Sequence, residues 1–264
     1  MRIVILAMDD PLYTNDFIKE IIENRKEDIV QYVYVAKGDR LTIGKKRSKI
    51  EYLISLFLIM GPIYYFKNVF KTVNHKMKKK FSNYKICKDP TVYTWAKDLG
   101  IKVKKITNPN NKKFCEYLTQ LKPDIIINQS QSIIKKRLLS IPKIGMLNRH
   151  NALLPKNRGR LTPFWVIYKR EKETGVSIHF VEEGIDSGDI IVQKKFAVTP
   201  KDTFNTIVKK NYKIAGKAIL EALDLLESGN YESVPNDNKN ATYNTIPSLK
   251  QACKYRSKRI LSLR

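Results

Sequence analysis

The chain has few cysteines and no glycine-rich cofactor motif, and each shortage excludes a class of protein. Its 264 residues include Cys87, Cys115 and Cys253, which lie far apart and form no CxxC pair. That spacing argues against a disulfide framework or a zinc site and is typical of a reducing compartment. No GxGxxG follows the first predicted strand, so we do not expect a dinucleotide site there. No GxSxG turn offers a nucleophile, so an attacking group would come from a substrate.

Long apolar runs are also missing. The most apolar stretch, residues 52–66, has fifteen residues, fewer than the roughly 20 that span a bilayer. Gly61-Pro62 would interrupt a helix there. We predict a buried or partly buried helix, with contact to a membrane surface or another subunit as the alternative. Asp9 and Asp10 follow the apolar N-terminal run without a cleavage site of the signal-peptide type, so the expected location is the cytoplasm.

Acidic residues are half as numerous as basic ones, 25 against 50, which gives a formal net charge of +25. Such a charge predicts an anionic partner: nucleic acid, a phosphorylated small molecule or an acidic membrane surface. The alternative is that solvated lysines cover every face without a specific function. Basic clusters occur at residues 45–49, 76–80 and 254–264.

The order of apolar segments predicts an α/β fold. Strand patterns at residues 2–8 and 29–35 enclose a helical pattern at 15–24, and strands are also predicted at 101–106, 125–127 and 145–148. Strand–helix–strand units build open, mostly parallel sheets with helices on both faces. A long helix is predicted from Asp202 to Leu226, with Gly229 ending it. We predict one domain over residues 1–226, a hydrophobic and basic insertion at about 45–84, and a short C-terminal extension over 227–264.

Polar residues follow two of these predicted strands. Residues 128–132 come directly after the strand at 125–127, and Asn148 and His150 end the strand that begins at 145. Because side chains alternate along a strand, Asn148 and His150 share one face and Arg149 points to the other. Ligands bind at the carboxyl ends of parallel strands, so this edge is the candidate site. Asp186 follows later in the chain, in the acidic loop 182–189.

A histidine, an amide and a carboxylate together suggest polar catalysis at a carbonyl. The histidine would transfer protons near neutral pH, and the amide would donate to an oxygen that gains negative charge. The alternative is structural: a histidine at a strand end is usually a satisfied core residue. His179 lies within an alternating strand with no acidic partner that the sequence identifies, and His75 is expected at the surface.

The stretch 147–191 resembles the folate-dependent formyltransferases, which include the methionyl-tRNA, glycinamide ribonucleotide and nucleotide-linked amino-sugar formyltransferases. The elements that carry the resemblance occur in the family's order: Asn148-Arg149-His150, Leu153-Leu154-Pro155, Asn157-Arg158-Gly159, Thr174-Gly175-Val176-Ser177 and Asp186-Ser187-Gly188. The similarity extends more loosely from about residue 120 to 245, and residues 1–119 fit mainly by their strand–helix pattern.

The resemblance implies a Rossmann-like formyltransferase domain that uses 10-formyltetrahydrofolate as co-substrate and needs no metal. It assigns catalysis to Asn148, His150 and Asp186: the first two stabilise an oxyanion, and Asp186 keeps His150 protonated or organises a water. The residues implied for substrate binding are Arg158, Gly159 and Arg160. Those implied for cofactor binding are Ser132, Ile133, Ile134, Glu182, Glu183 and Ile185.

The expected acceptor is a nucleotide-linked amino sugar, because Arg158-Gly159-Arg160 followed by Pro163 and Trp165 is most similar to the amino-sugar members. Glycinamide ribonucleotide and methionyl-tRNA are the alternatives. The transfer-RNA enzymes carry an additional barrel domain, and about sixty residues follow Asp202 here, which argues against tRNA although the positive charge argues for it. Non-enzymatic alternatives are a basic nucleic-acid-binding protein and a membrane-surface module that uses residues 52–66.

The chain departs from the family pattern at several positions, among them Gln129 and Gln131, which make the residues after the 125–127 strand more polar than the family pattern. Asn151-Ala152 stands where a serine usually precedes Leu-Leu-Pro, and Asn157 stands where an aromatic residue is common. The segment 169–171 lacks the usual glycine. The three residues expected to be catalytic keep their types.

Overall fold

A mixed seven-stranded sheet forms the centre of the molecule, in the strand order β3-β2-β1-β4-β5-β7-β8. The computed structural model describes residues 1–36 and 48–261. Their strands are Ile3–Ala7 (β1), Ile29–Val35 (β2), Val103–Ile106 (β3), Ile125–Gln129 (β4), Gly145–His150 (β5), Arg158–Gly159 (β6), Glu173–Phe180 (β7), Ile190–Ala197 (β8) and Tyr243–Asn244 (β9). Their α-helices are Thr14–Arg25 (α1), Lys49–Met60 (α2), Pro62–Ser82 (α3), Val92–Asp98 (α4), Lys112–Leu121 (α5), Lys136–Leu139 (α6), Thr162–Tyr168 (α7), Phe204–Ser228 (α8) and Leu249–Leu261 (α9).

The first five strands of the sheet run parallel to one another, and the last two join it through antiparallel pairs. β1 pairs with β2 and β4, β2 with β3, and β4 with β5, all in parallel. β7 runs antiparallel to both β5 and β8. The carboxyl ends of β1, β4 and β5 therefore meet at one edge, as the sequence pattern predicts. The predicted α/β class and its mostly parallel sheet are confirmed.

Two apolar layers enclose the sheet because its central strands are apolar at every position. All of β1 is buried, as are Ile125, Ile126 and Ile127 in β4. Alternate residues of these strands pack on α1, α4 and α8 on one face, and on α5 and α6 on the other. Unbroken Ile and Val runs are typical of strands covered on both sides. Helices thus lie on both faces, as expected.

The predicted break at Gly61-Pro62 separates two helices. α2 ends at Met60, and α3 begins at Pro62, a residue that fits the first turn of a helix because it needs no amide donor there. Gly61 between them has a φ of +80°, which favours glycine. α2 packs against α9, and Ile59 is buried with Phe164 and Tyr255. Within residues 1–36 and 48–261, no helix is both long and apolar enough to span a bilayer.

The C-terminal segment is more ordered than its polar sequence suggests. β9 pairs in parallel with β6, and α9 begins a few residues later at Leu249. The sequence pattern predicts only a short C-terminal extension with a basic cluster and no helix here, so α9 is a correction. Ala252 and Tyr255 bury the inner side of α9 against α2, α7 and α8. The proposed division at residue 226 stays a prediction, as does the insertion at 45–84, of which residues 45–47 lie outside the described part.

Candidate active site

A hydrogen-bonded amide pair joins the carboxyl ends of β4 and β5. Nε2 of Gln129 donates to Oδ1 of Asn148 at 2.7 Å. Oε1 of Gln129 accepts from Nη2 of Arg149 at 3.1 Å. Because the carbonyl oxygen of Asn148 is bound to Gln129, its Nδ2 donor is directed away from that residue. This geometry presents an N–H group at the strand edge, as an oxyanion site requires.

Arg149 extends from the opposite face of β5, as its alternation predicts. Its guanidinium lies 4.9 Å from the ring centre of Phe17 and 4.2 Å from that of Tyr212. The Tyr212 hydroxyl accepts a hydrogen bond from Nη2 at 2.9 Å. Arg149 thus anchors the end of β5 to α1 and α8, while its bond to Gln129 supports the amide pair.

His150 is buried, and both of its ring nitrogens face a protein oxygen. Nε2 donates to the carbonyl oxygen of Asn157 at 2.8 Å, and Nδ1 lies 3.4 Å from Oδ2 of Asp186. A carbonyl oxygen only accepts, so Nε2 carries a hydrogen. A second proton on Nδ1 would point at the carboxylate and complete an imidazolium ion. The expected approach of Asp186 to His150 is present in the structure.

Asp186 connects three parts of the chain. Its Oδ2 accepts from the backbone amide of Gly159 at 2.9 Å, and its φ of +47° is unusual for a residue with a side chain. Burial by itself would raise the pKa of this carboxyl, but its electrostatic interaction with His150 and the hydrogen bond from the amide of Gly159 hold the pKa below its usual value. Asp186 is therefore a carboxylate at neutral pH.

His179 is a site residue that the sequence does not identify. It lies directly opposite Asn148 in the β5–β7 pairing, and its Nε2 is 3.7 Å from Oδ1 of Asp186. Nδ1 donates to the carbonyl oxygen of Phe180 at 2.6 Å. Burial lowers the pKa of His179 to about 4, so the ring is neutral. Its Nε2 has no hydrogen-bond partner in the described part of the chain, and it offers a lone pair toward the site.

The three residues expected to bind substrate have different environments. Arg158 is fully buried, and its guanidinium donates to Asn236, Asn238 and Tyr243. The structure therefore places Arg158 in the interior rather than at a surface that a substrate could reach. Gly159 donates its amide to Asp186 and has a φ of +98°. Arg160 is only partly buried, and desolvation lowers its pKa.

Two departures from the family pattern contact each other in the structure. Nδ2 of Asn157 donates to both carboxylate oxygens of Glu171, each at 2.9 Å, and Lys169 donates to Oδ1 of Asn157 at 3.1 Å. Asn157 adopts a φ of +58°, a conformation that asparagine tolerates better than most residues. The carbonyl of this same residue holds His150. Asn157, Lys169 and Glu171 therefore form one polar cluster that supports His150.

The six residues expected to bind cofactor occupy two separate segments. In the loop after β4, Ser132 and Ile134 are buried and Ile133 is 49% exposed. The Ser132 hydroxyl has no hydrogen-bond partner among the described residues. In the loop after β7, Glu182, Glu183 and Ile185 are exposed. Both loops lead away from strands that carry site residues, so a ligand of the site could contact both.

A cavity of about 380 Å³ lies at the carboxyl ends of β1 and β2. Asp9, His75, Lys76 and Lys79 line it. Nε2 of His75 lies 2.9 Å from Asp9, and this histidine is largely covered, which corrects its expected surface position. The backbone amide of Met8, which also lines the cavity, donates to the carbonyl of Gln129 at 3.3 Å. Met8 thus connects the cavity lining to Gln129, a member of the amide pair.

Comparison with known proteins identifies the family. The family model described as "Formyl transferase" matches residues 66–223, which is more than half of the chain. The chain therefore belongs to the formyl transferase family. Its fold is shared with solved members, for example glycinamide ribonucleotide transformylase 1 from Symbiobacterium toebii, with a TM-score of 0.57, 16% identity and coverage of 87% of this chain and 88% of that one.

Two further relatives show the range of named acceptors. Methionyl-tRNA formyltransferase of Kosmotoga olearia is 35% identical over 149 residues, which is 56% of this chain and 48% of the relative. The chain spans about half the length of the curated relatives it matches. The N-formyltransferase from Helicobacter canadensis, solved with folinic acid and dTDP-3-aminofucose, has a TM-score of 0.54 and 18% identity. That comparison covers 92% of this chain and 71% of the other.

Proposed function

We propose that this protein transfers the formyl group of 10-formyltetrahydrofolate to a primary amine. The observation that carries the proposal is the convergence of Asn148, His150 and Asp186 at one edge of the sheet, in a chain that belongs to the formyl transferase family. The site contains no serine or cysteine in a nucleophile turn. Direct attack by the acceptor amine on the formyl carbon fits this set of residues.

In the proposed reaction a C–N bond forms between the acceptor and the formyl carbon, and the bond from that carbon to N10 of the folate breaks. The carbonyl oxygen gains negative charge as the amine attacks, and Nδ2 of Asn148 and an N–H of His150 donate to it. His150 reaches that oxygen by exchanging its bond to the carbonyl of Asn157. One proton passes from the amine to N10, and the carboxylate of Asp186, 3.4 Å from Nδ1, keeps the ring of His150 in position meanwhile.

Folate would bind along the two loops that flank these residues. Ser132, Ile133 and Ile134 supply backbone groups and an apolar contact on one side, and Glu182, Glu183 and Ile185 close the other. The buried, unpartnered hydroxyl of Ser132 supports this placement because a buried polar atom is costly without a hydrogen bond. The Helicobacter canadensis relative was solved with folinic acid, itself a formylated folate.

For the acceptor we favour a nucleotide-linked amino sugar. The basic side of the cavity, formed by His75, Lys76 and Lys79, suits the phosphates of such a molecule. Arg160 adds a half-buried guanidinium that no carboxylate pairs with in residues 1–36 and 48–261. Neither feature distinguishes a sugar nucleotide from glycinamide ribonucleotide, which stays the second choice.

Methionyl-tRNA is a further candidate because a specific observation favours it. Two curated relatives, at 35% and 36% identity, are methionyl-tRNA formyltransferases. The net charge of +25 also suits a polyanion. We rank methionyl-tRNA below the small acceptors because the cavity next to Gln129 is small. Only the amine-bearing terminus of the tRNA could enter that cavity, without the rest of the molecule.

The test measures tetrahydrofolate release with a panel of acceptors: a dTDP-linked amino sugar, glycinamide ribonucleotide and methionyl-tRNA. With the preferred acceptor, His150→Ala and Asp186→Asn should each lower kcat by about 10²–10³. Asp189→Asn is the matched control, because Asp189 lies in the same loop but contacts Ser233 instead of a histidine. Catalysis at near-normal rate by either site variant would contradict the residue roles. No release with any acceptor, together with no calorimetric binding of folinic acid, would sink the proposed function.

A further inference from the structure

A continuous apolar stripe runs along the outside of α3. Its members recur at spacings of three and four residues, so they share one side of the helix. The members and their exposed fractions are Ile63 80%, Phe66 62%, Phe70 72%, Val73 48%, Met77 50% and Phe81 40%. Monomeric proteins rarely expose so many large apolar side chains in a row, and such patches mark interaction sites.

Lysines border this stripe without any acidic neighbour. Residues 52–88 contain eight lysines and no aspartate or glutamate. Projected around the helix at 100° per residue, Lys67 and Lys78 lie on one side of the stripe and Lys76 on the other. All three are exposed. The outer surface of α3 is therefore apolar in the centre and positively charged along both margins, which is the pattern of helices that lie in a membrane interface.

The inner surface of α3 is chemically different. His75 and Lys79 point inward, where both contact Asp9, and Lys79 also donates to the hydroxyl of Tyr34 at 3.2 Å. Thr72 lines the cavity with them. These polar contacts hold α3 against the ends of β1 and β2, so the apolar stripe cannot turn inward without breaking them.

We propose that α3 docks this protein on the surface of an anionic lipid bilayer. A bilayer offers phosphate groups for the lysines and acyl chains for the stripe at the same depth. A second copy of the chain would bring the lysines along the margins of its own stripe against those of the first, which disfavours self-association. Nucleic acid would match the lysines but leave the phenylalanines exposed to water. The proposal concerns peripheral binding, and it stands apart from the formyl-transfer proposal.

The experiment is co-sedimentation of the full chain with vesicles of neutral lipid, with or without 30% anionic phospholipid. We expect at least tenfold stronger partitioning to the anionic vesicles at 50 mM salt, and a loss of most of it at 500 mM because screening weakens the lysine contribution. Equal partitioning to both vesicle types, or none at low salt, would overturn the proposal.

Two pairs of variants locate the contact. Ile63→Ser/Phe70→Ser removes the two most exposed members of the stripe and should lower partitioning at least tenfold, whereas Val234→Ser, an exposed apolar residue away from α3 at 59%, should not. Lys67→Gln/Lys78→Gln should weaken the salt dependence, with Lys76 still bordering the stripe, whereas Lys113→Gln/Lys213→Gln should leave it unchanged. Circular dichroism and thermal melting confirm folding. If Ile63→Ser/Phe70→Ser partitioned to vesicles like wild type, the assignment to α3 would be overturned. The proposal would also be overturned if sedimentation velocity showed a wild-type dimer that this double variant converts to a monomer.

Discussion

The buried guanidinium of Arg158 provides a sharp test of whether this residue binds substrate or holds the fold together. Its four hydrogen bonds reach Oδ1 of Asn238 at 2.7 Å, the Tyr243 hydroxyl at 2.7 Å, and the carbonyl oxygen and Oδ1 of Asn236 at 2.8 and 2.7 Å. The chain segment that supplies them lies about eighty residues further on. Arg158 therefore ties the loop before α7 to the C-terminal segment.

Replacing Arg158 with methionine keeps an unbranched apolar stem but removes the guanidinium and all four bonds. A hydrogen bond to a charged group contributes about 1.5–3 kcal/mol, and the contributions are not additive within one cluster. Breaking a buried charged network typically costs about 3–5 kcal/mol. We expect Arg158→Met to lose about 3–5 kcal/mol of unfolding free energy, which corresponds to a Tm lowered by roughly 6–15 °C in a chain of this size.

The assay pairs thermal melting with steady-state kinetics. Arg160→Met is the matched control. Arg160 is only partly buried and forms none of the hydrogen bonds that hold Arg158, so this substitution should leave Tm within about 2 °C of wild type and raise KM for the acceptor. If Arg158→Met melted like wild type and instead raised KM, the structural role assigned to Arg158 would be refuted, and the expectation that it binds substrate would stand.

Three further predictions concern stability. Burial lowers the pKa of His179 to about 4, well below its unfolded value of about 6.5, so the unfolded chain binds a proton first as pH falls. The free energy of unfolding should therefore drop by about 3 kcal/mol between pH 6.5 and pH 4. Urea titrations of His179→Gln over the same pH range should lack this drop. Lys210 and the turn around Thr199 lower the pKa of Asp202 to about 2 despite burial. Asp202→Asn should cost about 2 kcal/mol at pH 7 and progressively less from about pH 4 to pH 2, because this contribution is complete above the unfolded pKa and is lost as pH falls through the folded pKa. Gly159→Ala should destabilise by at least about 2 kcal/mol, because a Cβ would lie 2.2 Å from the carbonyl oxygen of Asn244 and φ is +98°; a wild-type melting curve would contradict this.

The parts of the site that follow local rules could be predicted from the sequence. Alternation along β5 places Asn148 and His150 on one face and Arg149 on the other, and the structure agrees. The apolar run at residues 125–127 and the polar residues after it locate the edge of the sheet. Gly61-Pro62 and Gly229 mark helix ends correctly, since both depend on backbone properties of single residues.

Contacts between distant segments could not be predicted in this way. The approach of His179 to Asp186 depends on the antiparallel register of β5 and β7, and on the register shift between Ile178 and His179 in the β7–β8 pairing. No local pattern specifies either. The burial of Arg158 depends on residues 236–243, whose polar sequence resembles an exposed tail. The pairing of His75 with Asp9 needs α3 to lie across the end of β1.

The two surfaces of α3 have a thermodynamic consequence. The same helix lines the cavity through Thr72, His75 and Lys79 and exposes its apolar stripe outward. If occupation of the cavity shifts the position of α3, a ligand there and a surface outside influence each other through one rigid element. Linkage requires that coupling to be reciprocal: whatever factor the surface applies to ligand affinity, the ligand applies to surface affinity. The affinity for the acceptor would then differ by one factor between free solution and a surface. The affinity for the surface would differ by the same factor between the acceptor-bound and the free protein.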